Sequence, residues 1–410
     1  MIHIRRFIRD LVIFTVSYYI GFFIRFGYPF PQKNFSDFSR IFPLTLLAFI
    51  LISLIMDNYP RINLSALEEI SGFAAASLIT TFIWSTFNYF LHAFALPRSI
   101  LLIAFILQII MLTIAIYIER KLGLSWIKKT VGVIGETHID NISGIPINSP
   151  EVIDKVDSVI ASSIKSEQEA LLLLKAIEKG KDIFIKPKPA DIVLHASKFL
   201  SLGSHPILYY SAPIISPAER FFKRVMDIIM GLIGSMITVI LLPFIGAAIY
   251  IDSPGPIFYL QTRLGRNGKP FKVIKFRTMI PNAEKYTGAV LATEDDPRIT
   301  KVGKFLRKTR LDELPQFFNV LIGDMSTVGP RPERPEMYEK IEKELPLFRM
   351  RLMVKPGITG LAQVYGEYDT PPEEKLTYDL IYILSRPKLP LDIRIILMTI
   401  KTMLTPSKAK

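Results

Sequence analysis

Asp312 and Glu313 are adjacent carboxylates, followed closely by Pro315. Proline is tolerated best in the first turn of a helix, so the pair is expected at a helix N-terminus. There the positive end of the helix dipole, with Arg307 and Arg310 nearby, is expected to keep Asp312 ionised and to draw in a phosphate group. Successive helical residues point about 100° apart, so the two carboxylates are placed to divide the work rather than share a proton. One can attack phosphorus while the other helps hold Mg2+, which favours hard oxygen ligands. The bland use of such a pair is ordinary helix capping. Two further segments add cations. Gly323–Pro332 holds Arg331 between two prolines in a rigid, extended stretch that suits bidentate phosphate contact, and Lys275-Phe-Arg-Thr-Met279 offers Lys275 and Arg277 on an expected strand before a turn at Pro281-Asn282. Several basic residues around one acidic pair point to a highly anionic substrate, most simply a nucleotide diphosphate.

These residues sit in a chain of 410 residues, half of them apolar, with a mean hydropathy of +0.33. That length allows roughly two or three domains, and the composition excludes disorder, collagen and a disulfide-stapled scaffold. With no cysteine, thiolate metal sites and cysteine nucleophiles are excluded. Fifty Lys+Arg against 37 Asp+Glu leave a net charge of +13, suited to lipid headgroups, nucleotide phosphates or nucleic acid, and the apolar bulk favours the first two. Charge-free apolar windows run from Leu11 to Ile24, Ile41 to Met56, Ile70 to Leu96 and Ser99 to Ile118. A helix needs about 20 residues to cross the hydrocarbon layer, and with flanking Phe7, Ile8, Phe26 and Phe38 the windows predict four transmembrane helices. The first is expected as an uncleaved anchor, since no small-residue cleavage site follows it. Arg5, Arg6 and Arg9 before the first helix and Arg120, Lys121, Lys128 and Lys129 after the fourth place both ends in the cytoplasm, although Arg25, Lys33 and Arg40 then lie outside against the rule.

Residues 130–215 read as a small α/β unit. Thr130–Ile134, Ser158–Ala161 and Asp182–Ile185 are expected strands of a parallel sheet, and Glu167–Lys179 is an expected helix with Leu171, Leu174 and Ile177 at helical spacing. Gly132-Val-Ile-Gly135 is half of a dinucleotide fingerprint, which favours a degenerate, Rossmann-like structural domain. A fifth window, Ile228 to Ile251, contains Pro243, where a kink or break is expected. Its flanks are both basic, which suits a helix that enters the membrane and returns, the alternative being a proline-kinked span. Val302, Phe305 and Leu306 share a helical face within a basic stretch, and Leu391, Ile395 and Met398 share another, both expected to lie on the membrane plane.

The stretch from about Arg220 to Leu404 resembles the bacterial sugar transferase family, the monotopic phosphoglycosyl transferases. The resemblance rests on Lys223-Arg-Val-Met-Asp-Ile228, Phe258–Gly265, Lys275–Met279, Asp296–Thr300, Leu311–Gln316, Gly323–Ser326, Gly329–Pro332 and Lys355–Leu361, in that order. Leu242 stands where the family often has serine, and Ala362 where many members have tryptophan. The resemblance implies a membrane protein in three parts. These are four transmembrane helices (1–126), a degenerate Rossmann-like α/β domain (127–218), and an α/β-type monotopic catalytic domain (219–410) with a re-entrant helix at 225–251 broken at Pro243. It implies transfer of sugar-1-phosphate from a UDP-sugar to undecaprenyl phosphate, with release of UMP, at the start of polysaccharide or glycan assembly. Asp312 is then the expected nucleophile, forming a phosphosugar-aspartate intermediate, and Glu313 assists with Mg2+. Arg307 and Arg331 are expected on the substrate phosphates, with Lys275, Arg277, Arg298 and Arg310 as further binding residues. The expected partners are the donor, the lipid acceptor and the bilayer of the bacterial inner membrane, with the catalytic part on the cytoplasmic face, no nucleic acid, and room for a homodimer organised by the N-terminal part. A membrane scaffold built on a transferase fold is the alternative, against which the intact Asp312, Glu313, Arg307 and Arg331 count.

Overall fold

The computed structural model describes residues 2–59, 66–90, 98–122, 131–135, 144–161, 166–189, 191–192, 198–202, 205–209, 216–281, 283, 296–366, 370–385 and 388–403. Leu96, Lys128, Lys129, Thr130, Asn282, Leu404 and the expected boundary at 126/127 lie outside them. The chain forms two compact units, Met1–Lys128 with Leu397–Ala409, and Lys129–Ile396.

The first unit contains α1 (Ile2–Phe26), α2 (Gln32–Ile55), α3 (Ala66–Phe90) and α4 (Arg98–Lys121). All four are long and apolar enough to cross a membrane, as expected of a membrane-bound protein. Their core is aromatic: Phe14, Phe22, Phe38, Phe49 and Phe73 are buried, and Phe14 stacks on Phe49 with ring centroids 4.2 Å apart. Ile24, Leu44, Phe82 and Ile114 point outward, so apolar residues cover the outside as well as the inside, the pattern of helices that face lipid. One end is tied together by ion pairs. Arg9 reaches Asp10 at 2.8 Å, Glu69 at 3.1 Å and Glu119 at 2.8 Å, bringing together the starts of α1 and α3 and the end of α4.

The second unit opens with a four-stranded parallel sheet of order β2-β1-β3-β4, built from β1 (Val131–Ile134), β2 (Ile145–Pro146), β3 (Ser158–Ala161) and β4 (Asp182–Ile185). The parallel sheet matches the expectation from the alternation of strands and helix. The intervening helix α5 (Glu167–Glu178) differs in its facing: Leu173 and Ala176 are buried in the core, while Leu171, Leu174 and Ile177 are more than half exposed. Four consecutive leucines, Leu171–Leu174, supply an apolar residue to every face of the helix, so spacing alone could not choose the buried one. An antiparallel pair follows, β5 (Lys198–Leu202) with β6 (His205–Tyr209).

Helix α6 (Pro217–Asp252) begins at a capping box formed by Ser216 and Glu219, and the expected boundary at 218/219 falls in its first turn. The chain stays helical through Pro243, so the break expected there is not a gap in the helix. A proline removes one ladder hydrogen bond, which a bend can accommodate without unwinding. Then come β7 (Phe258–Leu264) and β8 (Pro270–Phe276), an antiparallel pair, followed by α7 (Lys301–Lys308), α8 (Gln316–Ile322), β9 (Ser326–Val328) and α9 (Pro335–Glu344). The last elements are β10 (Gly357–Thr359), parallel to β9, then α10 (Leu361–Tyr365), α11 (Pro372–Leu384) and α12 (Lys388–Met403).

The N-terminal half of α6 holds this part together through charged residues. Arg224 donates to the carbonyls of Val320 and Leu321 at 2.9 and 2.8 Å, closing the C-terminus of α8. Buried Asp227 accepts from Ser326 Oγ at 2.9 Å and Thr327 N at 2.8 Å, and Lys223 reaches Asp392 at 2.8 Å and the Val328 carbonyl at 3.1 Å. At Gly234 an added Cβ would collide with the Phe317 ring, so α8 lies close against α6. The two amphipathic faces expected on the membrane plane are partly used inside the protein. Leu306 is buried and Val302 packs with it beside Ile245, Ile249 and Phe276, leaving only Phe305 of that face exposed. Ile395 and Met398 are likewise buried. Helical spacing marks a face as apolar without specifying whether protein or lipid covers it.

Candidate active site

The acidic pair is presented by a reversal of the chain after α7. Arg310 takes a left-handed conformation, φ 56°, and Leu311–Glu313 then form a single 3-10 turn ahead of α8. A non-glycine residue held there costs on the order of 1 kcal/mol, the kind of local strain that surrounding structure must hold in place. Thr238 Oγ1 of α6 lies 3.1 Å from the Leu314 carbonyl, fastening the far side of the turn. Asn319 of α8 accepts from Ile274 N at 3.1 Å and donates to the Lys272 carbonyl at 2.8 Å, fixing β8 alongside. That register carries Lys275 to the acidic pair. At Gly303 a Cβ would collide with the Thr278 carbonyl, so the absence of a side chain lets α7 close on the segment after β8. Across this contact Arg307 Nε donates to Thr278 Oγ1 at 2.9 Å.

Glu313 is the centre of the charge arrangement. Its Oε1 accepts from Lys275 Nζ at 2.8 Å and from Arg331 Nη2 at 2.6 Å, and its Oε2 from Arg331 Nη1 at 3.3 Å. Burial works to raise its pKa but is outweighed by Arg331 and Lys275, which hold it well below the usual carboxylate range. The Arg331 side chain keeps 39% exposure against 12% for Glu313, so it forms the open edge of the cluster. Asp312 behaves differently. Burial, then the neighbouring Glu313, push it up to about 6 against the pull of Lys275, Arg307 and Arg331. Desolvation and the adjacent carboxylate thus weaken, without cancelling, the pull of the nearby arginines that is expected to keep Asp312 ionised. It remains mostly ionised at neutral pH.

Of the expected site residues, the structure brings Asp312, Glu313, Lys275, Arg307 and Arg331 together. Arg277 is turned away: its guanidinium is buried beneath the loop after α6 and donates to the Ser253 carbonyl. Arg298 is ion-paired with Asp296 at 2.6 Å, and hydrogen bonds from Arg298 hold that carboxylate at about 2. Arg310 is exposed and serves the site through its backbone turn. Residues the sequence did not single out lie behind Arg331, where Arg351 and Arg263 reach the carbonyls of Arg331 and Pro332. Nothing in local spacing marks either one. Among the described residues there is no cluster of three or more His, Cys, Asp and Glu side chains able to hold a metal. Two adjacent carboxylates fit Mg2+ only as an ion that completes its shell with water and phosphate oxygens, the usual way this cation is bound beside nucleotides. An acidic pair faced by three cations can accommodate a diphosphate and offers one carboxylate, Asp312, without an ion-pair partner of its own at bonding distance among the described residues.

The family model described as bacterial sugar transferase matches residues 218–406. The UDP-N-acetylgalactosamine-undecaprenyl-phosphate N-acetylgalactosaminephosphotransferase of Aeromonas hydrophila is 42% identical over 193 residues, covering 46% of this chain and 45% of that protein. A Bacillus subtilis (strain 168) protein, named provisionally as undecaprenyl-phosphate N-acetylgalactosaminyl 1-phosphate transferase, is 53% identical over 130 residues, or 32% of this chain and 72% of its own length. The UDP-glucose:undecaprenyl-phosphate glucose-1-phosphate transferase of Klebsiella pneumoniae is 46% identical over 189 residues, 44% of this chain and 39% of that protein. The chain thus spans less than half the length of the Aeromonas and Klebsiella relatives it matches.

Proposed function

This chain belongs to the bacterial sugar transferase family, and from that premise we propose that it transfers a sugar-1-phosphate from a UDP-sugar to undecaprenyl phosphate. The observation that carries the reading is buried Asp312 beside Glu313, with Lys275, Arg307 and Arg331 converging on them. In the proposed reaction an Asp312 carboxylate oxygen attacks the phosphorus that bears the sugar. The bond to the bridging oxygen breaks, UMP leaves with that oxygen, and the sugar phosphate is held as an acyl phosphate on Asp312. A phosphate oxygen of the lipid acceptor then attacks the same phosphorus, releasing the Asp312 carboxylate and a polyprenyl diphosphosugar. Arg331 exchanges its pairing with Glu313 for the incoming diphosphate, while Lys275 and Arg307 offset the charge that builds on the phosphoryl oxygens. Asp312 and Glu313 would hold Mg2+, which when bound supplies further neutralisation of the diphosphate.

The test is to mix detergent-purified protein with undecaprenyl phosphate and a panel of UDP-sugars, and to identify the nucleotide released. The relatives' names carry different sugars, so the panel includes UDP-glucose and UDP-N-acetylgalactosamine. UMP is expected. Release of UDP would mean direct glycosyl transfer and overturn the reading, and no release from any donor would favour the scaffold alternative.

The same proposal places the site at the cytoplasmic membrane surface, where a long lipid phosphate can reach phosphorus without leaving the bilayer. Helix α6 is long and apolar enough to cross a membrane, yet basic residues flank it on both sides: Arg220, Lys223 and Arg224 before, Arg263, Arg266 and Lys269 after. Two positive flanks favour entry and return on one face, with a bend of the continuous helix at Pro243. The chain has no cysteine, so single introduced thiols report cleanly. Ser216→Cys and Lys269→Cys are both expected to react with an impermeant maleimide from the cytoplasmic face of sealed vesicles. Labelling from opposite faces would make α6 a full span and remove the site from its nucleotide supply.

A further inference from the structure

Arg331 lies between Pro330 and Pro332, neither of which has a backbone N–H. A segment so short of donors cannot join a sheet ladder in the ordinary way, yet its carbonyls still require partners where they are buried. Four consecutive carbonyls each find one. Gly357 N donates to Pro330 at 2.9 Å and Leu264 N to Glu333 at 3.2 Å. The two between them are served by side chains: Arg351 Nη2 donates to the Arg331 carbonyl at 2.9 Å, and Arg263 Nη1 to the Pro332 carbonyl at 3.0 Å.

Arg351 is itself held from behind. Its Nε donates to Asp379 Oδ2 at 2.7 Å, the two side chains are 4% and 1% exposed, and its guanidinium lies 4.5 Å from the centroid of the Phe348 ring. A buried ion pair is poor value for stability alone, since apolar residues of similar volume often do as well or better. This pair has a second output, the bond to the backbone of Arg331. The planar guanidinium suits the task because it addresses two acceptors in fixed directions at once, one through Nε and one through Nη2. The space between Arg331, Tyr338 and Arg351 is a cavity of about 10 Å3, at the lower limit for a single water. Arg351 is buried, so its guanidinium is not presented to a substrate.

We infer that Arg351, fixed by Asp379, is a positioning residue for Arg331: it pins the main chain from which the Arg331 guanidinium reaches Glu313 and the donor diphosphate. The inference rests on the assignment of Arg331 to that diphosphate. Without the Arg351 bond the Arg331 carbonyl loses its donor, the Pro-Arg-Pro segment shifts, and a bidentate contact becomes a loose one. The effect must therefore pass through Arg331.

The test is a double-mutant cycle on the full-length protein, read as kcat/KM for the UDP-sugar that gives UMP release. Arg351→Lys keeps a positive charge for Asp379 but cannot make both bonds. It is expected to lower kcat/KM about tenfold, in the range found for partners of site ligands, chiefly by raising KM for the donor while KM for undecaprenyl phosphate stays put. In an Arg331→Gln background the same change is expected to cost less than about twofold, because coupled residues are not additive. Full kcat/KM in a folded Arg351→Lys protein, or losses that simply multiply, would overturn the inference. Wild-type kcat/KM in Arg331→Gln alone would instead remove the diphosphate assignment on which it stands. Should Arg351→Lys fail to fold, as judged by thermal unfolding, the paired change Arg351→Gln with Asp379→Asn leaves no buried charge unmatched and enters the same cycle with the same expected coupling.

Discussion

Asp312→Asn is expected to abolish turnover, by about 10^3-fold or more, while the protein folds at least as well as the wild type. The substitution keeps the shape of the side chain and removes the carboxylate assigned to the acyl phosphate, while Glu313, held by Lys275 and Arg331, is not expected to take its place. The stability half of the expectation follows from the raised pKa of this carboxyl. An acid that titrates higher in the folded state than in the unfolded state favours folding when protonated. That advantage is fully present at low pH and is lost as pH rises from the unfolded value through about 6. At neutral pH the ionised Asp312 therefore opposes folding, by an amount on the order of 3 kcal/mol, and a neutral asparagine relieves it. Thermal unfolding in detergent should show a midpoint equal to or above that of the wild type. Robust UMP release by this variant would remove the nucleophile assignment.

Glu313→Gln separates catalysis from binding. The carboxylate is paired with Lys275 and Arg331, so its removal leaves two cations around a neutral amide. The loss of charge that orders the site and would help hold Mg2+ is expected to lower kcat about 10^2-fold or more. Donor affinity should move the other way or not at all. In the wild type, Arg331 must give up Glu313 before it can engage a diphosphate, whereas in the variant it has no carboxylate to leave. The signature is thus a fall in kcat with KM for the UDP-sugar unchanged or reduced. A raised KM with kcat intact would make Glu313 a binding group and set aside its proposed part in the chemistry.

Much of this protein follows from local sequence. A run of apolar residues such as Ser99 to Ile118 forms a long helix in almost any context, and β1, β3, β4 and α5 lie where their periodicity places them. Asp312 and Glu313 stand ahead of a helix because Pro315 allows little else nearby, and the ordered motifs from Lys223 to Leu361 were enough to suggest the family. What the chain alone could not disclose is which side chains meet and how much water each retains. Glu313 takes its partners from 38 and 18 residues away, and Arg277, two residues after Lys275, is turned out of the site by the loop at Ser253. The buried face of α5, the Arg351–Asp379 support and the raised pKa of Asp312 share one cause. Backbone periodicity is a short-range property of consecutive residues, whereas burial, desolvation and the pairing of charges are set by elements that come together only when the whole fold has closed.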